Sequence, residues 1–157
     1  MNRRATGFLL ALAFVAGCSG IKTYPDASAK NLIVRSDVDS GSRFSSMHAA
    51  LHVHKVDAGC RTEYQGTVRL DQPSIAVGIP PDRFSYLVFS FEGSSFLGGS
   101  SSATSVGTLL KPRAGYRYEF AVTYRENIYN VVIRETDPRI GSSREIVRRD
   151  LETCHAS

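Results

Sequence analysis

Apolar and polar residues alternate along most of this chain, two residues to a repeat, the spacing of strands rather than helices. From Ala49 to Val56, Leu51 and Val53 fall on one side, His52 and His54 on the other. Further along, Tyr116, Tyr118, Phe120, Val122 and Tyr124 occupy alternate positions, as do Tyr129, Val131 and Ile133. A two-residue turn at Glu126-Asn127 joins these runs, since Asn tolerates positive φ. That register sets Tyr124 opposite Tyr129, Val122 opposite Val131 and Phe120 opposite Ile133. On the other face it sets Glu119 opposite Arg134. A slip of one residue would break both sets at once.

Shorter strand patterns cover Asn31–Arg35, Arg61–Leu70 and Ser74–Ile79. The last stops at Pro80-Pro81, which cannot donate to a central ladder. Phe84–Phe91 is apolar on both faces, which predicts a central strand covered on both sides. Thr136-Asp137-Pro138 breaks the ladder before a last short strand at Glu145–Arg149. Glu92–Gly107 is rich in glycine and serine and reads as a long flexible loop. Phe96 and Leu97 are stranded in it, a candidate tip for gripping a partner. Beyond the N-terminal apolar run, no stretch of about ten residues carries a helical period. The expectation is an all-β chain, an antiparallel β-sandwich of immunoglobulin-like or transthyretin-like kind with about eight strands. A small barrel is the alternative.

The N-terminus differs from the rest. Arg3 and Arg4 precede an apolar run, Phe8 to Phe14, that ends in Val15-Ala16-Gly17-Cys18. The run is too short for a bilayer-spanning helix, which needs about 20 residues, and has the layout of a secretory signal. Val15-Ala16-Gly17-Cys18 resembles the lipobox of bacterial lipoprotein precursors: a branched residue, two small ones, then cysteine. The resemblance implies cleavage before Cys18 and acylation there by diacylglycerol and fatty acid such as palmitate. It makes residues 1–17 a signal peptide, 18–30 the lipidated cysteine with a flexible tether, and 31–157 the domain. Ser19 stands where an inner-membrane retention signal would carry aspartate, so the resemblance implies an outer-membrane anchor facing the periplasm, or the cell surface.

Charge then means less than it first suggests. The whole chain carries 19 basic and 15 acidic residues. Loss of Arg3 and Arg4 leaves 17 basic, and no Lys/Arg stripe forms, so nothing here addresses nucleic acid. With Cys18 committed to lipid, Cys60 and Cys154 are the one internal pair, and an exported protein would close it. A loop that long gives about 4–5 kcal/mol in the chain-entropy argument.

Chemistry is sparse. His52-x-His54 is the one metal-like spacing. Zinc wants three or four protein ligands, and a third would have to be His48, His155 or Asp57. The pair otherwise reads as the polar side of an amphipathic strand, so no metal or other cofactor is assigned. There is no Gly-x-Ser-x-Gly turn, no phosphate loop before a helix, and no carboxylate pair in an apolar surround. The reading is a non-catalytic binding or scaffold module of the cell envelope with a protein partner. Its contact features would be Phe96, Leu97 and unpaired strand edges. In general look it is similar to small transthyretin-like periplasmic lipoproteins. The alternatives are an inhibitor or immunity lipoprotein against an envelope-attacking hydrolase, and a metal-binding or enzymatic domain.

Overall fold

The computed structural model describes residues 20–38, 45–95, 101–125 and 128–156. Nine strands fall within them: β1 (Leu32–Val38), β2 (Ser45–Val56), β3 (Thr62–Arg69), β4 (Ser74–Val77), β5 (Ser85–Ser95), β6 (Ser101–Leu110), β7 (Arg117–Arg125), β8 (Ile128–Asp137) and β9 (Ser142–Ile146). A short 3₁₀ helix, Leu151–Ala156, follows. The five-stranded sheet runs β4-β1-β7-β8-β9 and the four-stranded sheet β3-β2-β5-β6. Together they form a β-sandwich.

The core is where the period-two patterns meet. Leu51, Val53, Leu87, Phe89 and Phe91 project from the four-stranded sheet toward Leu32, Val34, Tyr118, Phe120 and Val122 of the other. Phe89 lies against Phe120 at 5.5 Å between ring centres, and Phe91 stacks on Tyr124 at 5.2 Å. Each such side chain contributes about 1.5–3 kcal/mol on burial. The β7–β8 hairpin has the register read from its alternation, including Tyr124 opposite Tyr129 and Glu119 opposite Arg134. Its turn, Glu126-Asn127, lies outside the described residues.

Six features depart from the expectation. β1 and β7 pair in parallel, whereas the other pairs of named strands are antiparallel. The pairing sets Leu32 beside Tyr118 and Val34 beside Phe120, so both inward rows enter one core. The intervening strands supply the long crossover a parallel pair needs. Second, most of Glu92–Gly107 is strand: β5 continues to Ser95 and β6 begins at Ser101. Its small residues have a packing reason. A Cβ on Gly107 would collide with the Tyr86 hydroxyl, so the glycine makes room for a neighbouring ring. Third, β5 is central but not sealed on both sides, because Tyr86 and Val88 on the outer face are only half-buried. Fourth, the last strand comes earlier than Glu145–Arg149, pairing Arg134 with Glu145 and ending at Ile146. Fifth, Tyr129, in the apolar row of the hairpin, is 38% exposed, one pair in from Arg125 and Ile128.

The stretch read as a tether is also seated from Lys22 onward. Thr67 donates its N–H to Lys22 O and accepts from Tyr24 N–H, at 2.8 and 3.0 Å. Tyr24 is buried, with its hydroxyl donating to Gly78 O at 2.9 Å. Gly66, at φ +150°, permits this approach; a Cβ there would lie 2.6 Å from the Tyr24 backbone.

Candidate binding face

The outer face of the four-stranded sheet carries the even-numbered side chains of β2 and β5. Register places His48 beside Glu92, Ala50 beside Ser90, His52 beside Val88 and His54 beside Tyr86. On the other flank of β2, Ala50 pairs with Arg69, His52 with Thr67 and His54 with Tyr64. A bulge between Val53 and His54 adds Gln65 to β3, which brings Tyr64 and Thr67 onto the same face.

One end of this face is covered. Val56, Phe84, Tyr86 and Leu109 form a small apolar cluster with Leu151 and the Cys60–Cys154 disulfide. The bridge spans 5.9 Å between Cα atoms and pins the 3₁₀ helix over Leu109. Cys60 sits in a turn held by Asp57, whose Oδ1 accepts from the N–H groups of Gly59 and Arg61. The Arg61 backbone, then its guanidinium, hold the exposed Asp57 carboxyl below its ordinary range.

The middle of the face is a hydroxyl–imidazole chain. His52 Nδ1 lies 2.7 Å from Thr67 Oγ1, and Nε2 lies 2.8 Å from Ser90 Oγ. Thr67 Oγ1 is also 2.5 Å from the Tyr64 hydroxyl, which donates to Lys22 O at 3.3 Å. With a neutral ring one direction satisfies all four contacts. Tyr64 donates to the carbonyl, Thr67 to Tyr64, His52 Nδ1–H to Thr67, and Ser90 to Nε2. His54 faces Tyr64 and Tyr86 at 5.4 and 6.3 Å between ring centres. Burial, then the charge of His52, lowers its pKa.

Beyond His52 the face is open. Ala50 is too small to fill its position, and a groove of about 490 Å³ lies over it. His48 and His52 rise on the same strand, Arg69 and Ser90 stand to either side, and Glu92 and Asp71 lie at the rim. One guanidinium, two carboxylates and two imidazoles around a small floor offer donors and acceptors to a polar partner.

The metal-like spacing resolves differently. His52 turns both ring nitrogens to hydroxyls, His54 lies among tyrosines, and Asp57 serves its own turn with Arg61. Among the described residues, no three His, Cys, Asp or Glu side chains gather where they could hold a metal. Cys18, Phe96 and Leu97 lie outside the described residues, as does the side chain of His155. Tyr64, Thr67, Arg69 and Ser90 were not singled out by the sequence; only the pairing partners of β2 reveal them.

A second polar cluster, on the other sheet, is closed. The buried Glu135 takes Arg144 Nε and Nη2 on Oε1, at 3.0 and 2.8 Å, and the Tyr118 hydroxyl on Oε2 at 2.8 Å. Arg113 stands 3.4 Å from Oε1. Burial would raise the Glu135 pKa, but Tyr118 and Arg144 outweigh it and hold the group ionised. Burial, with Glu135 beside it, pushes Tyr118 up to about 12. Next to it Asp137 is clamped by Arg139, which holds its carboxyl far below the usual range. Every oxygen of Glu135 already has a partner, so the cluster braces β7, β8 and β9. No protein-family model matches this chain, and no curated protein matches it.

Proposed function

We propose that this chain is a lipid-anchored envelope protein, held at the outer membrane through Cys18 and facing the periplasm. It acts as a non-catalytic binding or scaffold module for a protein partner. The half-covered outer face supports the binding role. A disulfide-pinned cap seals one end, and beside it lies a groove whose hydrogen-bonding side chains are already held in place. Preorganised polar groups around a small floor cost little ordering entropy on binding. The anchor rests on the N-terminal residues; among the described residues no helix is long and apolar enough to cross a membrane.

Two experiments test the two halves separately. Cys18→Ser should move the protein from the membrane to the soluble fraction and abolish palmitate labelling. Continued labelling and sedimentation with membranes would refute the anchor. Crosslinked recovery of the full chain from its own envelope should yield one stoichiometric protein. That protein should be lost with Ala50→Trp, which fills the groove, and with Arg69→Glu. Recovery unaffected by both substitutions would remove the groove from the reading.

A further inference from the structure

Sheet edges invite strand addition, and proteins blunt the ones they do not use. Among the described residues, three of the four sheet edges are blunted. β4 is four residues long and lies between Pro73 and Pro80-Pro81. β9 is five residues long and carries Arg144 and Glu145. β3 bears a bulge, and its Thr67 backbone is already bonded on both sides to Lys22 and Tyr24. β6 is the exception. Its ten residues, Ser-Ser-Ala-Thr-Ser-Val-Gly-Thr-Leu-Leu, include no charge and no proline.

One bond fixes which of its atoms point outward. Leu109 N–H donates to Arg149 O at 2.6 Å, so the chain lays its own C-terminal segment along the end of this edge. Leu109 therefore turns its backbone groups away from β5. By the alternation of an antiparallel ladder, Gly107, Ser105, Ala103 and Ser101 do the same. Among the described residues, no backbone bond continues the row past Leu109.

We infer that the free part of β6 pairs antiparallel with β6 of a second copy over Ala103–Gly107, joining two four-stranded sheets into one. The outward atoms require odd-numbered residues to face odd-numbered residues, and we place the axis at the residue midway along Ala103–Gly107. A two-fold axis at Ser105 sets Ser105 against the second copy's Ser105, and Ala103 against its Gly107. It forms about six backbone hydrogen bonds and stops where Arg149 occupies Leu109. On the inner side Thr104 meets the second copy's Val106, a β-branched pair of the kind that stabilises facing strands. On the outer side the residues are small, so neither copy obstructs the other, and no like charges meet. A foreign peptide would need side-chain pockets along the edge for specificity, and Ala103, Ser105 and Gly107 build none. The inference depends on neither the anchor nor the groove.

The test expresses the full chain with Ser105→Cys in its own cells, treats them with a short bismaleimide and reads the protein in whole-cell extract, wherever it resides. Ser143→Cys, on β9, serves as the comparison. The expected result is a product of twice the monomer mass at position 105 and none at 143. Ser105→Pro removes an N–H that no backbone bond among the described residues uses. Glutaraldehyde should therefore give dimer with the native chain and monomer with this variant, at unchanged circular dichroism. No dimer at Ser105→Cys, or equal dimer at Ser143→Cys, would overturn the pairing. So would a native dimer that persists in Ser105→Pro. Should Ser105→Pro fail to fold, the bismaleimide comparison decides alone.

Discussion

Replacing both Cys60 and Cys154 with alanine tests the largest single stabilising term we assign to one covalent feature. The bridge joins residues 94 apart, and a loop of that length restricts the unfolded chain by about 4.7 kcal/mol at 25 °C. The folded side adds little strain relief: Cys60 stays at φ +60°, a conformation costing about 1 kcal/mol that alanine shares. Domain stabilities are about 5–15 kcal/mol, so the loss would be a third or more of the total. With a urea slope of about 2 kcal/mol per molar, the unfolding midpoint should fall by roughly 2 M. Circular dichroism against urea, on oxidised native protein and the double variant, measures it. The slope should also rise, because an uncrosslinked chain exposes more surface when unfolded. A midpoint shift below about 0.5 M at unchanged slope would refute the chain-entropy argument. The bridge would then serve only to locate the cap over Leu109.

Three further outcomes follow from the packing and the charges. Gly66→Ala should cost about 2–3 kcal/mol, since its Cβ would press on the Tyr24 backbone at 2.6 Å; a thermal melt within 2 °C of native, on the order of the scatter expected for a neutral change, would contradict the seating of residues 22–24. Glu135→Gln should lose about 2 kcal/mol by weakening the bonds to Arg144 and Tyr118, and spectrophotometric titration should show the Tyr118 hydroxyl moving down from about 12. Acid should destabilise the protein in two stages. The His54 pKa is lowered on folding, so its contribution is intact above about pH 6.5 and is lost as pH falls through its folded value. Asp137 and Glu135 are also lowered, and their contributions are intact above about pH 4.5 and lost below it. Urea midpoints from pH 8 to pH 3 should therefore only fall on acidification, and His54→Gln should remove the first stage; a rise between pH 7 and pH 5 would have the wrong sign.

The β7–β8 hairpin was legible because both faces carry information: an apolar row on one, Glu119 and Arg134 on the other. β2 was legible for the same reason. Composition misled at Glu92–Gly107, where glycine and serine suggest a loop. The signal against it is local: Val106 and Leu110 keep the inward alternation, and Gly107 is small because Tyr86 lies across it. The candidate face was half legible. His52 and His54 stood out by type and spacing, but Thr67, Ser90 and Arg69 come from β3 and β5, and which strands flank β2 is decided by sandwich topology rather than any local pattern. The seat of Tyr24 on Gly66 was hidden for the same reason, being a contact between segments some forty residues apart in the chain.

The parallel pairing of β1 with β7 also orders events in time. β1 lies between β4 and β7 in its sheet, so the first strand made is left with one side unpaired until the seventh appears. The disulfide imposes the same wait, since its second cysteine is near the end of the chain. A chain synthesised from its N-terminus has β2 and β5 available early, but cannot complete the five-stranded sheet until its last third has been made. The five-stranded sheet is thereby the later of the two layers to close.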